Sequence, residues 1–366
     1  MKIGILTFHA SHNYGSMLQA YALQTVLGKL GHESEIINFR SDVQKGLIPP
    51  PVKLKHPRSS LIKFIKQPVK TFQLLQKYNK FENFIKKDLK VSRELKDHGE
   101  VERYVNECGF DAIITGSDQI WNPFCWDFDM TYLLNFRFEG KRIAYAPSFG
   151  SFPQNIKEKN LNKISKAISR YDFLSSREER GSQLIKSLTG KEAKVVLDPT
   201  FLLDRSDYAK LTDSKFKSQE PYILYYTPRE QQGYFEYALN LSKKLGFKII
   251  VTDDNPQYIG DNVEFKLNTG PREFLSILEG AEYCIGNSFH LMVFSLIFNK
   301  EFLIISPKED SRIVNILKSL DLLDRIISNK ERINIPTAID KVISGENRER
   351  EILNSYNYLQ NCFSSI

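Results

Sequence analysis

The 366-residue chain has no apolar run long enough to span a bilayer, which excludes an integral helical membrane protein as its class. Met1-Lys2-Ile3-Gly4-Ile5-Leu6 passes straight into a strand pattern with no small-residue cleavage site, so no secretory leader is expected. Cysteine is scarce. Cys108, Cys125, Cys284 and Cys362 are widely scattered, show no metal-ligand spacing, and predict a reduced, cytoplasmic setting without a metal site. GxGxxG is missing, so classical dinucleotide binding has no support. No nucleic-acid motif or aromatic-basic RNA-binding signature is found either, and no nucleic-acid partner is expected. Acid is the deficient charge: 44 Asp and Glu against 51 Lys and Arg leave a net charge of +7. The pI near 8.9 suits anionic partners such as phosphorylated substrates or an acidic membrane surface.

What the chain does contain is a repeated strand–turn–helix alternation, the pattern of parallel α/β structure. Its length exceeds one ordinary core and predicts two domains. In the first half, strands are expected over Lys2 to Phe8, Ser34 to Asn38, Asp111 to Thr115, Arg142 to Ala146, Phe173 to Ser176 and Lys194 to Leu197. Their carboxyl ends run into polar turns. Asn13-Tyr14-Gly15-Ser16 precedes a helix predicted over Met17 to Leu30, and Gly15 permits close backbone approach to a ligand. Gly116-Ser117-Asp118 offers backbone access, a hydroxyl and a carboxylate in one turn, and Trp121 offers a flat face for a sugar or for packing. Ser148, Arg177 and Asp198 follow later strands. Ligands of open α/β sheets bind along this edge.

Asp204 to Glu220 reads as a polar linker, and a second alternation follows with strands at Tyr222 to Tyr226, Lys248 to Val251, Tyr283 to Ile285 and Phe302 to Ile305. The expected organisation is an N-terminal Rossmann-like domain over 1–205, a second over 216–340, and a helix over 346–366 packing back on the first. The two domains are expected to face a cleft. A basic helical insertion over about 41–100 belongs to the first domain in this reading. Its lysines and apolar stripes fit either a solvated face over an insertion or an approach surface for an anionic membrane.

His290 begins the helix that follows Gly286-Asn287-Ser288, just past the carboxyl end of a strand. An imidazole beside apolar residues is ordinarily a packed one. The βα turn, with Asn287 and Ser288 as capping residues and the N–H groups of a helix start, makes it a candidate for chemistry on an anion.

These residues together resemble the polysaccharide pyruvyl transferase family. The resemblance is carried by Asn13-Tyr14-Gly15 with Leu18-Gln19-Ala20-Tyr21-Ala22-Leu23, then Gly116-Ser117-Asp118-Gln119-Ile120-Trp121-Asn122. It continues through Tyr145-Ala146-Pro147-Ser148-Phe149-Gly150, Ser176-Arg177-Glu178-Glu179, Leu197-Asp198-Pro199-Thr200 and Ser288-Phe289-His290. Six short motifs in order are specific to the family, though not to one substrate. The resemblance implies a fold similar to GT-B glycosyltransferases, with two Rossmann-like domains. It also implies transfer of pyruvate from phosphoenolpyruvate to a sugar, free or lipid-linked, as a cyclic ketal. Two positions depart from the family pattern. Leu291 stands where members typically carry Gly after the His, with the expectation that it crowds the entrance, and Ser288 stands where many carry Arg.

Ketal formation needs a proton for the enol carbon and stabilisation of an oxocarbenium-like centre, and a group poised near neutrality suits the proton work. His290 is assigned that role, with Asp118 orienting it or an acceptor hydroxyl. Phosphoenolpyruvate carries a carboxylate and a phosphate, which guanidinium forks bind bidentately. Arg177, Lys308, Arg312 and Ser288 are assigned to this donor. Asn13, Gly15, Ser117, Trp121 and Ser148 are expected to line the cleft or the acceptor site. No cofactor is expected beyond phosphoenolpyruvate as co-substrate. Two other readings stand beside this one: a nucleotide-sugar-dependent glycosyltransferase, and a non-catalytic binding protein of the same fold.

Overall fold

The computed structural model describes residues 1–52, 62, 64–150, 158–228, 233–306, 310–327 and 346–364. The chain divides into two compact units. One comprises Met1–Pro49, Ile85–Leu203 and Glu349–Ile366, the other Pro50–Phe84 and Asp204–Arg348.

The first unit is built on β1 (Lys2–Leu6), β2 (Glu33–Ile36), β3 (Ala112–Thr115) and β4 (Lys141–Ala144), in spatial order β2-β1-β3-β4. All three pairings are parallel. A parallel sheet covered on both faces reads as unbroken apolar sequence rather than alternation, and Ala112-Ile113-Ile114-Thr115 is buried at every position. A short parallel pair, β5 (Ser175–Ser176) with β6 (Lys194–Val195), lies further along the unit. The helix Tyr14–Lys29 crosses from β1 to β2, capped by Asn13, whose side chain accepts from the N–H groups of Gly15 and Ser16.

The second unit is built on β7 (Tyr222–Tyr226), β8 (Lys248–Val251), β9 (Val263–Phe265), β10 (Tyr283–Gly286) and β11 (Glu301–Ile304), ordered β11-β10-β7-β8-β9 and parallel throughout. Its helix Phe289–Ile297 is buried at every residue. A helix apolar all round is an interior one, which explains why its sequence shows no polar stripe.

The two sheets share a local device. A Cβ added at Gly116 would lie 2.0 Å from the Tyr145 carbonyl oxygen, and one added at Gly286 would lie 1.8 Å from that of Tyr226. In each case a strand leaves its sheet against a neighbouring strand's backbone, a path that only glycine permits.

Three sequence expectations need correction. Residues 50–84 belong with the second unit, not the first. The reason lies on the helix Pro68–Asp88: Lys77 pairs with Asp253 at 3.0 Å, Lys80 with Glu273 at 3.2 Å and Lys70 with Asp254 at 2.5 Å. Asp204 to Glu220 is not a linker. Asp204 caps the helix Arg205–Ala209, and the fully buried Tyr208 packs edge-on to Phe294 at 5.2 Å. Finally, the first helix starts at Tyr14 rather than Met17 because Asn13 supplies the cap. The helix Glu346–Ser364 joins the first unit from Glu349 onward, where Tyr358 Oη donates to the Ala144 carbonyl at 3.0 Å and Ser355 Oγ accepts from Leu197 N at 2.9 Å.

Candidate active site

In the first unit the polar residues past the strand ends form one connected, buried network. Gln19 enters it from the middle of the helix Tyr14–Lys29. Its Nε2 donates to Thr7 Oγ1 at 2.9 Å, and its Oε1 accepts from Ser117 N at 3.0 Å. Ser117 Oγ donates to Asp198 Oδ2 at 2.8 Å, and the same oxygen accepts from Arg177 Nη1 at 2.8 Å. Asp198 Oδ1 holds Thr200 through its N–H at 3.1 Å and its hydroxyl at 2.7 Å. Beside Arg177, Glu178 Oε1 accepts from Ser148 Oγ at 2.8 Å and from Phe149 N at 3.2 Å. In a low-dielectric interior such charges persist only when paired and hydrogen-bonded.

Asp118 stands at the less enclosed side of this network. Its Oδ2 accepts from Ser16 Oγ at 2.5 Å, and its Oδ1 accepts from Gln119 N at 2.8 Å. Its φ is +68°, in the left-handed region, and His12 (+49°) and Ala146 (+51°) share that region past the ends of β1 and β4. Non-glycine residues held there cost of the order of 1–3 kcal/mol each and concentrate at functional sites.

In the second unit His290 is at the second position of the helix Phe289–Ile297 and only 7% exposed, with the Phe289 ring edge-on at 5.2 Å. Ser288 is the N-cap, its Oγ accepting from Leu291 N at 3.4 Å. Phe289 and His290 therefore occupy the first turn, where a helix presents N–H groups to an anion.

Of the residues assigned from sequence, Asn13, Gly15, Ser117, Asp118, Ser148 and Arg177 lie in the first unit, and Ser288, His290 and Arg312 in the second. Lys308 lies outside the described residues. Several of these side chains are already engaged. Asn13 and Ser288 act as helix caps. Gly15 lends its N–H to the Asn13 cap. Arg177 directs Nη1 to Asp198, and Arg312 grips its own cap residue, Asp310, through Nε at 3.0 Å and Nη2 at 2.7 Å.

Two expectations are corrected. Trp121 lines no acceptor site: it is wholly buried, donates Nε1 to the Tyr132 carbonyl at 3.2 Å, and packs edge-on to Phe149 at 5.5 Å and Tyr171 at 5.3 Å. Nor does Leu291 crowd an entrance. It is fully buried, its Cδ2 fitted beside Gly286, where a Cβ would come within 2.8 Å of it.

The sequence reading missed Ser16, Gln19 and Glu178 as members of the network. Gln19 did carry a signal, a lone amide within the apolar run Leu18 to Leu23. Also missed was a cavity of about 200 Å³ in the first unit, whose lining includes Phe8, His9, Arg40, Gln44, Asp127 and Tyr132. Burial, reinforced by the charge of Asp118, pushes the Asp127 carboxyl up to about 6, although a hydrogen bond from its own backbone opposes the rise.

Two Rossmann-like units, each built on a parallel sheet, define a fold of the GT-B type, and the solved structures it is similar to agree. A UDP-GlcNAc 2-epimerase from Methanocaldococcus jannaschii matches with a TM-score of 0.55 at 13% identity, covering 98% of this chain and 100% of that one. A UDP-GlcNAc 2-epimerase from Neisseria meningitidis, bound to UDP-GlcNAc, matches with a TM-score of 0.51 at 10% identity, covering 99% of this chain and 92% of that one. At such identities the likeness concerns the fold alone. Comparison with curated protein sequences finds no match. The sequence profile of the polysaccharide pyruvyl transferase family matches residues 13–309, and the chain belongs to that family of transferases.

Proposed function

We propose that the protein transfers pyruvate from phosphoenolpyruvate onto a sugar of a cell-surface polysaccharide, or of its precursor, as a cyclic ketal. The observation that carries this reading is the family match, which spans every motif from Asn13 to His290. In the proposed chemistry a proton is added to the enol carbon, C3, and one sugar hydroxyl bonds to C2 as its O–H bond breaks and its proton is taken up by a base. Phosphate then leaves with the C2–O bonding pair. The second hydroxyl adds to the resulting oxocarbenium centre and gives up its proton. His290 is the group that delivers and collects these protons. The N–H groups of Phe289 and His290 in the first turn favour the anionic donor.

The enzyme is proposed to work in the cytoplasm, touching the inner face of the membrane where a lipid-linked acceptor would reside. Among the described residues no helix is long and apolar enough to cross a membrane. Ile62 and Ile65 are 52% and 71% exposed and, past the bend at Gln67, Val69 and Phe72 on the helix Pro68–Asp88 are 71% and 53% exposed, with Lys66 among them. Exposed apolar side chains with a cation among them suit contact with an anionic membrane face.

The reaction class is tested by incubating the protein with a panel of sugar acceptors and either phosphoenolpyruvate or nucleotide sugars. Phosphate release that depends on both phosphoenolpyruvate and a sugar supports the reading. Release of nucleoside diphosphate instead would move the protein to the glycosyltransferases.

A further inference from the structure

We propose that the first-unit cavity bounded by Phe8, Tyr132, Gln44 and Asp127 is the acceptor subsite, holding one sugar ring, with the neighbouring Trp126 as the aromatic platform for the glycan that extends from it. The proposal rests on the reading of the protein as a sugar-modifying transferase and names where the sugar sits.

Four observations point the same way. The cavity, about 200 Å³, is smaller than the roughly 300–1,000 Å³ of pockets that take drug-sized ligands. Its size fits a single ring, not a nucleotide sugar. Its walls mix aromatic faces with planar polar groups: Phe8 and Tyr132 meet edge-on at 5.0 Å, and Gln44 Nε2 donates to Tyr132 Oη at 2.6 Å. A pyranose presents the same mixture, C–H faces and ring-edge hydroxyls. His9 is fixed at both ends, Nδ1 lying 3.1 Å from the Thr7 carbonyl and Nε2 2.9 Å from Asn38 Oδ1, so this wall is preformed.

Asp127 supplies the acceptor of hydroxyl hydrogen bonds. It lines the cavity on the same loop as two aromatic residues that the fold leaves in solvent, Phe124 at 53% and Trp126 at 85% exposed. Trp126 adjoins Asp127 in sequence, so its exposed ring is carried one residue from the cavity wall. The other charged groups lining the cavity are Arg40 and Lys45, and the charge of Asp118 acts on the Asp127 carboxyl. Burial leaves the Asp127 carboxyl short of hydration, a condition that ligand hydroxyls relieve.

The test uses the protein's own fluorescence. Of the two tryptophans, Trp121 is buried and Trp126 exposed, so added ligands act on Trp126 emission. The full-length protein is titrated with methyl glycosides of glucose, galactose, mannose and N-acetylglucosamine, and separately with phosphoenolpyruvate. At least one glycoside is expected to shift the emission saturably. The shift should vanish in Trp126→Phe and weaken by about 10- to 100-fold in Asp127→Ala, the loss expected for a hydrogen bond to a charged group. Should Asp127→Ala fail to fold, Gln44→Leu serves the same purpose. No response to any glycoside from the folded protein, or a response to phosphoenolpyruvate alone, overturns the sugar subsite. Donor binding is followed in parallel by thermal shift with phosphoenolpyruvate. If that fails while a glycoside still binds, the pyruvyl reading falls and the sugar subsite stands.

Discussion

Arg177 and Asp198 form a buried ion pair, Nη1 to Oδ2 at 2.8 Å, with side chains 1% and 0% exposed. The pair ties β5 to the segment after β6, and through Ser117 it fixes the turn that carries Asp118. An arginine assigned from sequence to the donor thus also has a structural task. Asp198→Asn should keep the shape and leave Arg177 the more distant Glu178, 3.9 Å from Nε, as its acidic partner, costing about 1–3 kcal/mol. Urea denaturation followed by circular dichroism measures this, and a change below about 1 kcal/mol would mean that the pair contributes little.

His290→Ala is expected to fold normally and to lose roughly two to four decades of turnover, the range for a general acid–base group. His290 is only 7% exposed, so some thermal stability is lost as well, and turnover is compared at a temperature where both proteins are folded. Turnover near that of the parent protein would remove His290 from the mechanism.

Asp127 gives a pH signature in stability. Its carboxyl is raised to about 6, so between about pH 4 and pH 6 the folded chain holds a proton that the unfolded chain releases. Stability then falls as the pH climbs through that window, by up to about 3 kcal/mol. Asp127→Asn removes the titration. The variant should gain about 1–3 kcal/mol over the parent at pH 7 and nothing below about pH 4. Parallel thermal melts across the window would show the two curves diverging; curves that stay parallel would place Asp127 in an ordinary carboxylate environment.

The exposed residues Ile62, Ile65, Val69 and Phe72 should bring the protein to anionic vesicles but not neutral ones, with binding that weakens as salt rises. Ile65→Glu combined with Val69→Glu should abolish flotation and leave turnover on a soluble sugar intact. A protein that stays off anionic vesicles even at low salt would be acting away from the membrane.

The alternation of apolar strands and helices was legible because parallel sheets bury both faces, so their strands stand out as short apolar runs between polar turns. The strand-end positions of Asp118, Ser148, Arg177 and His290 followed from that. Less legible was which polar side chains serve as caps and which remain for a ligand. Asn13 and Ser288 accept from backbone N–H groups, and nothing in the residue type separates that use from binding. The two tryptophans show the same limit. Trp121 and Trp126 sit five positions apart in one loop-rich stretch, and only packing decides that Trp121 fills the core while Trp126 faces water. Lysine spacing misled in a similar way. Lys70, Lys77 and Lys80 read as a solvated face, but their acidic partners lie more than a hundred residues downstream.

The helix Glu346–Ser364 has a consequence for biosynthesis. Residues 1–203 leave the ribosome early, yet the backbone groups at Ala144 and Leu197 meet their partners Tyr358 and Ser355 only after the whole second unit has been translated. At about 5–20 residues per second the delay is on the order of ten to thirty seconds. During that interval the first unit waits with one flank uncovered, exposing apolar surface that the late helix would bury. A nascent chain stalled before Glu346 should accordingly be a chaperone client.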